Sequence, residues 1–359
     1  MATQLWEDEI FGKVRRQDWL DIGSTLPVDQ SDPIESLFRD EKTDNIVARW
    51  EYIASQYRIP VMAEFHGFDA EANTALRIPV NNKSVEKGLI KEKKNQSERL
   101  RELNRSGVVN NQELYNYVMA DGLDLARRIV TRTKVAKNEV LATGKMTIHE
   151  NNVNLVIDYG VPASNTRYTL DLSKSADIAS QIRKIVKDAR EQGVTLTGMV
   201  TSDTNIQKML DNENLQKSIN GNIGAGAMLY EEDLANFLTR RFGINKIISN
   251  DLLYAIEKGI KANGTPDRES KRYYPENKVT FFASNPAGNI GAGLWGDPPE
   301  IDMDGFYPNG RSEISPYVYI TQKMEWDPAV LWTKASSLFV PVIYNPDGLF
   351  IATVDDDGV

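Results

Sequence analysis

Two copies of one glycine-rich hexapeptide are the motif in this chain that most suggests chemistry. Gly-Asn-Ile-Gly-Ala-Gly occurs at residues 221–226 and again at residues 288–293. Loops of this kind can bind phosphate, because their backbone N–H groups approach an anion closely. Neither copy is followed by Lys-Ser/Thr, and neither has the spacing of a dinucleotide-binding motif. The pattern therefore favours two flexible loops, with a nucleotide-binding enzyme as the alternative.

A short acidic stretch after the second hexapeptide is similar to the start of a calcium-binding loop. The spacing of the first ligands is reproduced by Glu300, Asp302, Asp304 and Gly305. The residue that should supply the closing bidentate carboxylate is Arg311, so the motif is incomplete. We expect no resident metal and no cofactor here; an adventitious surface cation is the alternative.

Residues for nucleophilic catalysis are scarce. The chain has no cysteine, which excludes disulfides, cysteine-ligated zinc and thiol nucleophiles. Its two histidines, His66 and His149, lie far apart in sequence, and neither has the context of a catalytic serine. The favoured interpretation is two exposed histidines in loops or strands. The sequence therefore predicts a protein that is not an enzyme.

The charge of the chain argues against a dedicated nucleic-acid-binding protein. The formal net charge is -9, so the surface as a whole should repel nucleic acid. One predicted helix is locally basic: Arg127 and Lys134 share its polar ridge, whereas Arg128 and Arg132 are expected to point elsewhere. The favoured interpretation is a solvated or salt-bridged face. The alternative is a weak phosphate-facing role at an inner surface for Arg127 and Lys134.

Length and composition are those of a globular protein. The 359 residues allow two or three compact units, and 41% of them are hydrophobic. No secretion signal is recognisable, and no segment approaches the ~18 apolar residues that a membrane helix needs. We expect a cytoplasm-like compartment and no membrane partner.

One long helix, which ends on a glycine and leads into a hairpin, is the strongest structural signal. Apolar residues recur with helical spacing from about residue 112 to residue 143, and Gly144 suits a left-handed stop. The helix would be about 45 Å long, the span of a whole domain. Two strands are expected after it, at 145–148 and 153–157. Such a helix is typical of a structural beam.

The residues before this helix predict an arm and a ribbon. Residues 1–57 read as an extended arm, with a helix that begins at Pro33 behind the cap Asp32 and a second helix at 45–57. Alternating apolar residues at 61–65 and 75–80 predict a long two-stranded ribbon with too few large side chains for its own core. Dense charges from 83 to 105 indicate a solvated face.

The residues after the hairpin predict a mixed α and β region followed by C-terminal strands. Residues 284–315 are rich in Gly, Pro and Asp and are expected to be mostly loop. Asn345-Pro346-Asp347-Gly348 is a strong turn signal. The expected helices lie near 178–189, from 206 and near 234–238, and the expected strands at 195–200, 246–248, 279–282, 317–320, 339–344 and 349–352.

Three phrases connect this pattern with a known family. They are residues 127–132, residues 139–148 (Glu-Val-Leu-Ala-Thr-Gly-Lys-Met-Thr-Ile) followed by Val156-Ile157-Asp158-Tyr159-Gly160, and residues 340–348. These phrases and the order of the parts resemble the major capsid proteins of tailed bacteriophages, in particular the lambda-type E-protein branch of the Hong Kong 97-like fold. The resemblance covers most of the chain from about residue 45.

The resemblance implies an α+β Hong Kong 97-like capsid fold and transfers no catalytic residue. Its parts are an N-terminal arm (1–57), an extended E-loop ribbon (58–97), a peripheral domain with a long spine helix and a sheet (98–165 and 316–359) and an axial domain (166–315). Contacts of the ribbon with a neighbouring copy are expected from Phe65, Leu76, Arg77 and Ile78.

The implied function is that of a major head protein, which assembles into an icosahedral shell around double-stranded DNA. Its partners would be copies of itself in hexamers and pentamers, a portal, a decoration protein and, since no long charged helical extension precedes the arm, a separate scaffolding protein. Localisation would be the virion, with assembly in the host cytoplasm. An encapsulin-like compartment shell is the alternative with the same fold.

Overall fold

The computed structural model describes most of the chain after residue 30. The described residues are 31–54, 57, 59–62, 77–96, 111–150, 153–221, 228–261, 265–302, 310–311, 315–325, 327 and 330–355. The helices are α1 Asn111–Thr143, α2 Ile178–Glu191, α3 Asp203–Leu210, α4 Glu213–Asn220 and α5 Glu231–Phe242. The strands are β1 Phe38–Lys42, β2 Val47–Tyr52, β3 Asn81–Glu86, β4 Gly88–Gln96, β5 Lys145–Glu150, β6 Val153–Asp158, β7 Tyr168–Asp171, β8 Gly198–Thr201, β9 Lys246–Ser249, β10 Leu253–Ile260, β11 Pro266–Arg272, β12 Lys278–Phe282, β13 Gly291–Gly296, β14 Gly310–Arg311, β15 Tyr319–Glu325, β16 Val330–Ile343 and β17 Leu349–Asp355.

Helix α1 confirms the predicted beam. It has 33 residues and is therefore about 50 Å long. Leu125, Ile129 and Val140 are at most 1% exposed and lie in the larger hydrophobic core. Gly144 ends the helix with a φ of 71°, and the predicted hairpin follows as β5 paired with β6.

The main sheet has the strand order β1-β13-β16-β15-β14, with β4 paired along β16. Helix α1 packs across one face, as ion pairs from β4 to the helix show: Lys94 Nζ is 2.6 Å from Asp124 Oδ2, and Glu92 Oε1 is 3.0 Å from Arg128 Nη1. On the same face of β16, Leu331 and Phe339 are at most 1% exposed. The helix therefore closes one side of this sheet.

A second sheet has the order β7-β17-β12-β8-β9 and its own core. Helices α2, α3 and α5 contribute apolar side chains to this core, as the hydrophobic periodicity of α2 and α5 predicts. Met199, Phe281 and Phe350 from three neighbouring strands are fully buried within it. The described chain thus has two hydrophobic cores: this one, and a larger one around α1 and the main sheet that also includes Val200, Ile248, Phe282 and Leu349 from one face of the second sheet.

Two neighbouring backbone crossings connect the sheets. The chain leaves the second sheet after β12 to enter β13, and it leaves the main sheet after β16 to enter β17. The predicted turn at 345–348 therefore carries the chain between sheets. Backbone hydrogen bonds join the crossings, from Ala283 N to Gly348 O at 2.9 Å and from Tyr344 N to Ile290 O at 3.0 Å. Two strands pair across the expected domain boundary at 315/316: β13 pairs with β16, and β17 pairs with β12 and β7. The domain limits themselves stay a prediction.

Two local predictions in the arm and ribbon are wrong. The helix expected at 45–57 is strand β2, in which Ala48 and Trp50 are buried; its pairing with β3 overrides the local pattern. Residues 77–80 are not a strand, whereas the rest of the expected ribbon strands, apart from Val61 and Met62, lies outside the described residues. The charged stretch from 83 to 105 includes β4, which pairs with β16 but keeps most of its charged side chains exposed, as predicted.

The loop predicted for 284–315 is also wrong at the second hexapeptide. Residues 291–296 form β13, which is buried throughout and pairs with β1 on one side and β16 on the other. A Cβ on Gly291 would lie 2.1 Å from Val342 O, and one on Gly293 would lie 2.3 Å from Asp40 Oδ1. These glycines permit close packing rather than flexibility. Of the first hexapeptide only Gly221 is described, after the end of α4.

A buried polar cluster fastens the end of the arm to the beam helix. Asp32 caps the short 3-10 helix Pro33–Leu37, as predicted, and its carboxylate also accepts from Asn138 Nδ2 at 2.7 Å and Asn250 Nδ2 at 2.9 Å. Asn250 Nδ2 also donates to Asn138 Oδ1 at 2.9 Å. Burial raises the pKa of the Asp32 carboxyl, although these hydrogen bonds and nearby lysines oppose the shift. Buried polar side chains from three distant parts of the chain thus serve as hydrogen-bond partners for one another.

Replacing Gly291 tests whether β13 needs glycine for packing. Gly291→Ala should lower the free energy of unfolding by at least about 2 kcal/mol, since the new methyl group overlaps a buried carbonyl. Urea unfolding followed by circular dichroism measures the change. Gly88→Ala is the matched control, because its Cβ would meet only ordinary contacts at 3.6 Å and beyond. Equal stability of the two variants would contradict the packing explanation.

Replacing Asn138 tests the polar cluster. Asn138→Ala should cost about 1–3 kcal/mol, because it removes the hydrogen bond to the buried Asp32 Oδ2 and one of the two hydrogen bonds that the Asn250 amide donates. Thermal and urea unfolding report the loss. Asn154→Ala, at an exposed position in β6, should change stability by no more than about 0.5 kcal/mol. A similarly small effect at Asn138 would mean that the cluster does not hold the arm.

Candidate assembly surfaces

Three two-stranded ribbons lie outside the two large sheets. They are β2–β3, β5–β6 and β10–β11, and among the described strands each member pairs only with its own partner. An isolated ribbon of this size is marginal in water, so it needs another surface for stability. The ribbons are therefore the first candidates for contacts with other molecules.

Exposed apolar side chains concentrate on these ribbons. Among the described residues, most exposed large apolar side chains lie in a ribbon or within a few residues of its end. Others lie in the segment that follows β2 or precedes β3, and the exceptions are Leu89, Met228 and Tyr230. The most exposed are Val61 at 96% and Met62 at 86%. The others are Ile46, Ile53, Tyr57, Ile59, Ile78, Val80, Val153, Leu155, Val156, Leu253, Ile256 and Ile260. Apolar surface that is clustered and exposed is typical of an interaction site.

Of the four residues predicted to contact a neighbour, two can be located. Arg77 and Ile78 lie just before β3, and both are exposed, Ile78 at 51%. Phe65 and Leu76 lie outside the described residues. The intersubunit role of all four stays a prediction.

Sequence reasoning missed the β10–β11 ribbon. Its strands are held by cross-strand ion pairs, including Lys258 Nζ to Glu269 Oε2 at 3.0 Å and Arg268 Nη2 to Glu257 Oε1 at 2.9 Å. The dipeptide Asn263-Gly264 between two charged, alternating segments is a hairpin signal that would have revealed it.

Arg128 joins this ribbon to the beam helix and to the main sheet. Its guanidinium donates two hydrogen bonds to Glu257 in β10, at 2.9 and 3.0 Å, and one each to Glu92 in β4 and Asp124 in α1, at 3.0 Å. Burial alone would lower the pKa of Arg128, but its carboxylate partners raise it. The arginine therefore stays charged and links three elements.

Four of the five basic residues of α1, Arg127, Arg128, Arg132 and Lys134, line one open cavity of about 1170 Å³ between the helix and β10. We expected Arg128 and Arg132 to point away from Arg127 and Lys134, but all four side chains line the same cavity. The reason is that Arg128 and Arg132 form ion pairs with carboxylates on the adjacent strands β10 and β5. Arg132 Nε is 3.0 Å from Glu150 Oε1, and Lys134 is only 8% exposed.

Carboxylates balance most of the positive charge on this helix face. Lys134 Nζ lies 3.8 Å from Glu35 Oε1, and five acidic residues line the cavity beside the basic ones. Paired charges of this kind attract phosphate weakly. A phosphate-facing role for Arg127 and Lys134 stays a prediction.

The remaining sequence candidates fall into separate places. Glu300 is 5% exposed and forms an ion pair with Lys334, while Ser336 Oγ donates to its carboxylate at 3.1 Å. Asp304 and the side chain of Asp302 lie outside the described residues, as does His66. His149 is exposed on β5. In the described part of the chain, no three His, Asp or Glu side chains converge as metal ligands.

No helix in the described ranges is long and apolar enough to span a membrane.

Comparison with known structures shows the same fold over nearly the whole chain. The putative capsid protein of a prophage of E. coli CFT073 is 11% identical, with 98% of each chain covered and a TM-score of 0.51. The capsid of the Myoviridae phage XM1 is 10% identical, covering 92% of this chain and 95% of that one, with a TM-score of 0.48. The virus-like particle from Pyrococcus furiosus is 13% identical, covering 94% and 97%, with a TM-score of 0.42.

Comparison of the sequence with known proteins gives a match to a protein family but not to an individual curated protein. A search of curated proteins found no match. The model of the phage major capsid protein E family matches residues 88–354, which include α1 and all strands from β4 to β16. The chain therefore belongs to the phage major capsid protein E family, has the Hong Kong 97-like capsid fold, and is a major capsid protein of the phage virion, where copies of it form the shell.

Proposed function

We propose that this subunit forms hexamers and pentamers of an icosahedral head that encloses double-stranded DNA, and that it performs no catalysis. The observation that carries the proposal is the concentration of exposed apolar side chains on three ribbons. A free subunit keeps these surfaces in water, and contacts with neighbouring copies would bury them. Closed symmetry repeats each contact many times, so modest interfaces give a stable shell.

We propose the predicted division of labour for the parts of the chain. Residues 1–57 act as the arm and 58–97 as the E-loop ribbon, both reaching neighbours. Residues 98–165 and 316–359 form the peripheral domain around α1, and 166–315 form the axial domain at the centre of each hexamer or pentamer. The two hydrophobic cores, one around α1 and the main sheet and one between the second sheet and its helices, support a division into two main units.

We further propose a separate scaffolding protein, a portal and a decoration protein as partners, with assembly in the host cytoplasm. Packaged DNA would lie close to the shell without sequence-specific contact. The balanced charge of the cavity beside α1 supports this view, because a strongly basic lining would hold the DNA in place.

Electron microscopy of the purified protein tests the shell function. Produced together with the other head proteins, the chain should give uniform icosahedral particles that contain nuclease-protected double-stranded DNA. Particles that hold a protein cargo and no DNA would instead indicate an encapsulin-like compartment. A small, non-assembling species under all conditions would contradict a shell function. Uniform, correctly sized shells from this chain alone would refute the separate scaffold.

Acidic substitutions in the ribbon segment test the predicted neighbour contacts. Leu76→Asp with Ile78→Asp should leave the subunit folded and cooperative in thermal melting, yet reduce shell yield at least tenfold, since charges replace side chains proposed to dock on a neighbour. Sedimentation measures assembly.

Leu125→Asp provides the reference for a true core substitution, because Leu125 is fully buried in α1 and its replacement should abolish cooperative melting. If the Leu76/Ile78 variant also lost cooperative melting, Leu76 and Ile78 would belong to the core of their own subunit.

A further inference from the structure

The segment that leads into helix α5 exposes two large apolar side chains that belong to none of the three ribbons. Met228 is 80% exposed and Tyr230 is 66% exposed, whereas Leu229 between them is buried in the core of the second sheet. Neighbouring residues of an extended segment point to opposite sides, so burial of Leu229 directs both flanking side chains into water. Exposed apolar side chains that lie so close together are a candidate contact for another molecule.

Two unpaired carboxylates adjoin these apolar side chains. Glu231 and Glu232 begin the first turn of α5, both are exposed, and neither forms an ion pair with another described residue. Asp233 in the same turn is already engaged, because its carboxylate accepts a hydrogen bond from Tyr230 N at 3.1 Å. We call Met228, Tyr230, Glu231 and Glu232 the acidic end of α5.

The other end of this helix is basic. Arg240 and Arg241 in its last turn are exposed and form no ion pair with a described carboxylate. Asp177, which caps α2, lies near both Arg183 and Arg241, and its charge is offset by that of Arg183. We call Arg240 and Arg241 the basic end of α5. The helix dipole favours this distribution of charge within one helix, but it does not account for the exposed apolar side chains beside the acidic end.

The two ends of α5 suit contacts between copies that are arranged head to tail. A helix of 12 residues separates the ends by about 18 Å, so they do not pair within one subunit. Rings with rotational symmetry use two different surfaces of each subunit, one for each neighbour. Opposite charges on these surfaces fix the direction of the ring, because two acidic ends or two basic ends repel each other.

We propose that the acidic end of α5 in one copy docks on the basic end of α5 in the next copy around each hexamer or pentamer. The carboxylates of Glu231 and Glu232 pair with the two arginines, and the ring of Tyr230 packs on a guanidinium plane. This inference rests on the proposed hexamers and pentamers, with residues 166–315 at their centre. Repetition around the ring lets a small contact contribute to the stability of the assembly.

Charge reversal at each end tests the contact. Glu231→Lys with Glu232→Lys should reduce the yield of shells at least tenfold, and so should Arg240→Glu with Arg241→Glu, while subunit melting is unchanged. All four substitutions in one chain should restore the yield, because each contact again joins opposite charges. Electron microscopy and sedimentation measure the shells.

A mixture of the two charge-reversal variants tests the head-to-tail direction. In a six-membered ring the variants alternate, so that every contact joins opposite charges, whereas a five-membered ring always contains a contact between like charges. The mixture should therefore give fewer closed heads than the four-substitution chain, because a closed icosahedral head needs pentamers. Equal yields of closed heads from the two preparations would overturn the proposed direction.

Matched substitutions elsewhere control for net charge. Glu191→Lys with Glu213→Lys makes the same change in net charge as reversal of the acidic end, and Lys187→Glu with Lys217→Glu matches reversal of the basic end. These four side chains are exposed on α2 and α4, and both controls should assemble normally.

Two milder variants separate the contact from the stability of the helix. Tyr230→Ser removes the ring but leaves a residue that favours a helix start, so it should lower the yield of shells at least threefold with unchanged melting. Glu231→Gln with Glu232→Gln replaces the Lys pair if the latter melts early, and it should lower the yield as well.

Normal assembly of either charge-reversal variant, or a loss of assembly that the four-substitution chain does not recover, would overturn the inference. Loss in the acidic-end variant alone would assign that end to a scaffolding or decoration protein and would also overturn it. Wild-type shells are the internal reference, so these outcomes are distinct from a failure of the shell function.

Discussion

The packing of α1 across β16 is the contact on which the rest of this subunit depends. It brings the most buried stretch of the helix, around Val140 and Leu141, onto the same core as Phe339 and Val340. Burial of apolar surface on this scale is the main favourable term in folding. The arm, β4 and the β10–β11 ribbon all attach to the helix through polar side chains that this packing holds in place, among them Asn138, Lys94 and Arg128.

The same contact explains why the subunit leaves surfaces open. A single helix closes one face of the main sheet, and the opposite face carries lysines from β4, β15 and β16 together with Trp332. The ribbons extend beyond both cores and present apolar side chains to water. A protein that worked as a monomer would be expected to cover such surfaces. In the arrangement that we propose, neighbouring subunits take the place of the missing layers.

Local periodicity was sufficient to predict those elements whose pattern of side chains, caps and stops is complete within a short stretch of sequence. The beam helix, the β5–β6 hairpin, α2 and strand β12 all follow from spacing, caps and the stop at Gly144. Strand β13 was missed because its glycines look like loop residues until Val342 and Asp40, far away in sequence, are seen against them. Strand β2 was missed for a similar reason, since its pairing with β3 overrides a helical pattern. At the candidate surfaces, the basic residues of α1 were recognised as a group, but their carboxylate partners come from β4, β5–β6 and β10, whose positions no local pattern reveals.

The paired crossings between the sheets have a mechanical consequence. Two backbone segments pass side by side from one sheet to the other, and hydrogen bonds at Ala283 and Tyr344 join them. A third backbone connection, residues 159–167, leads from β6 to β7. Side chains join the two sheets as well: Thr280 Oγ1 in β12 donates to Leu141 O in α1 at 2.9 Å, and Val200 and Phe282 of the second sheet lie in the same hydrophobic core as α1. A force that pulls the two sheets apart is therefore shared by three covalent segments and a buried contact, so the subunit should respond to load as one body.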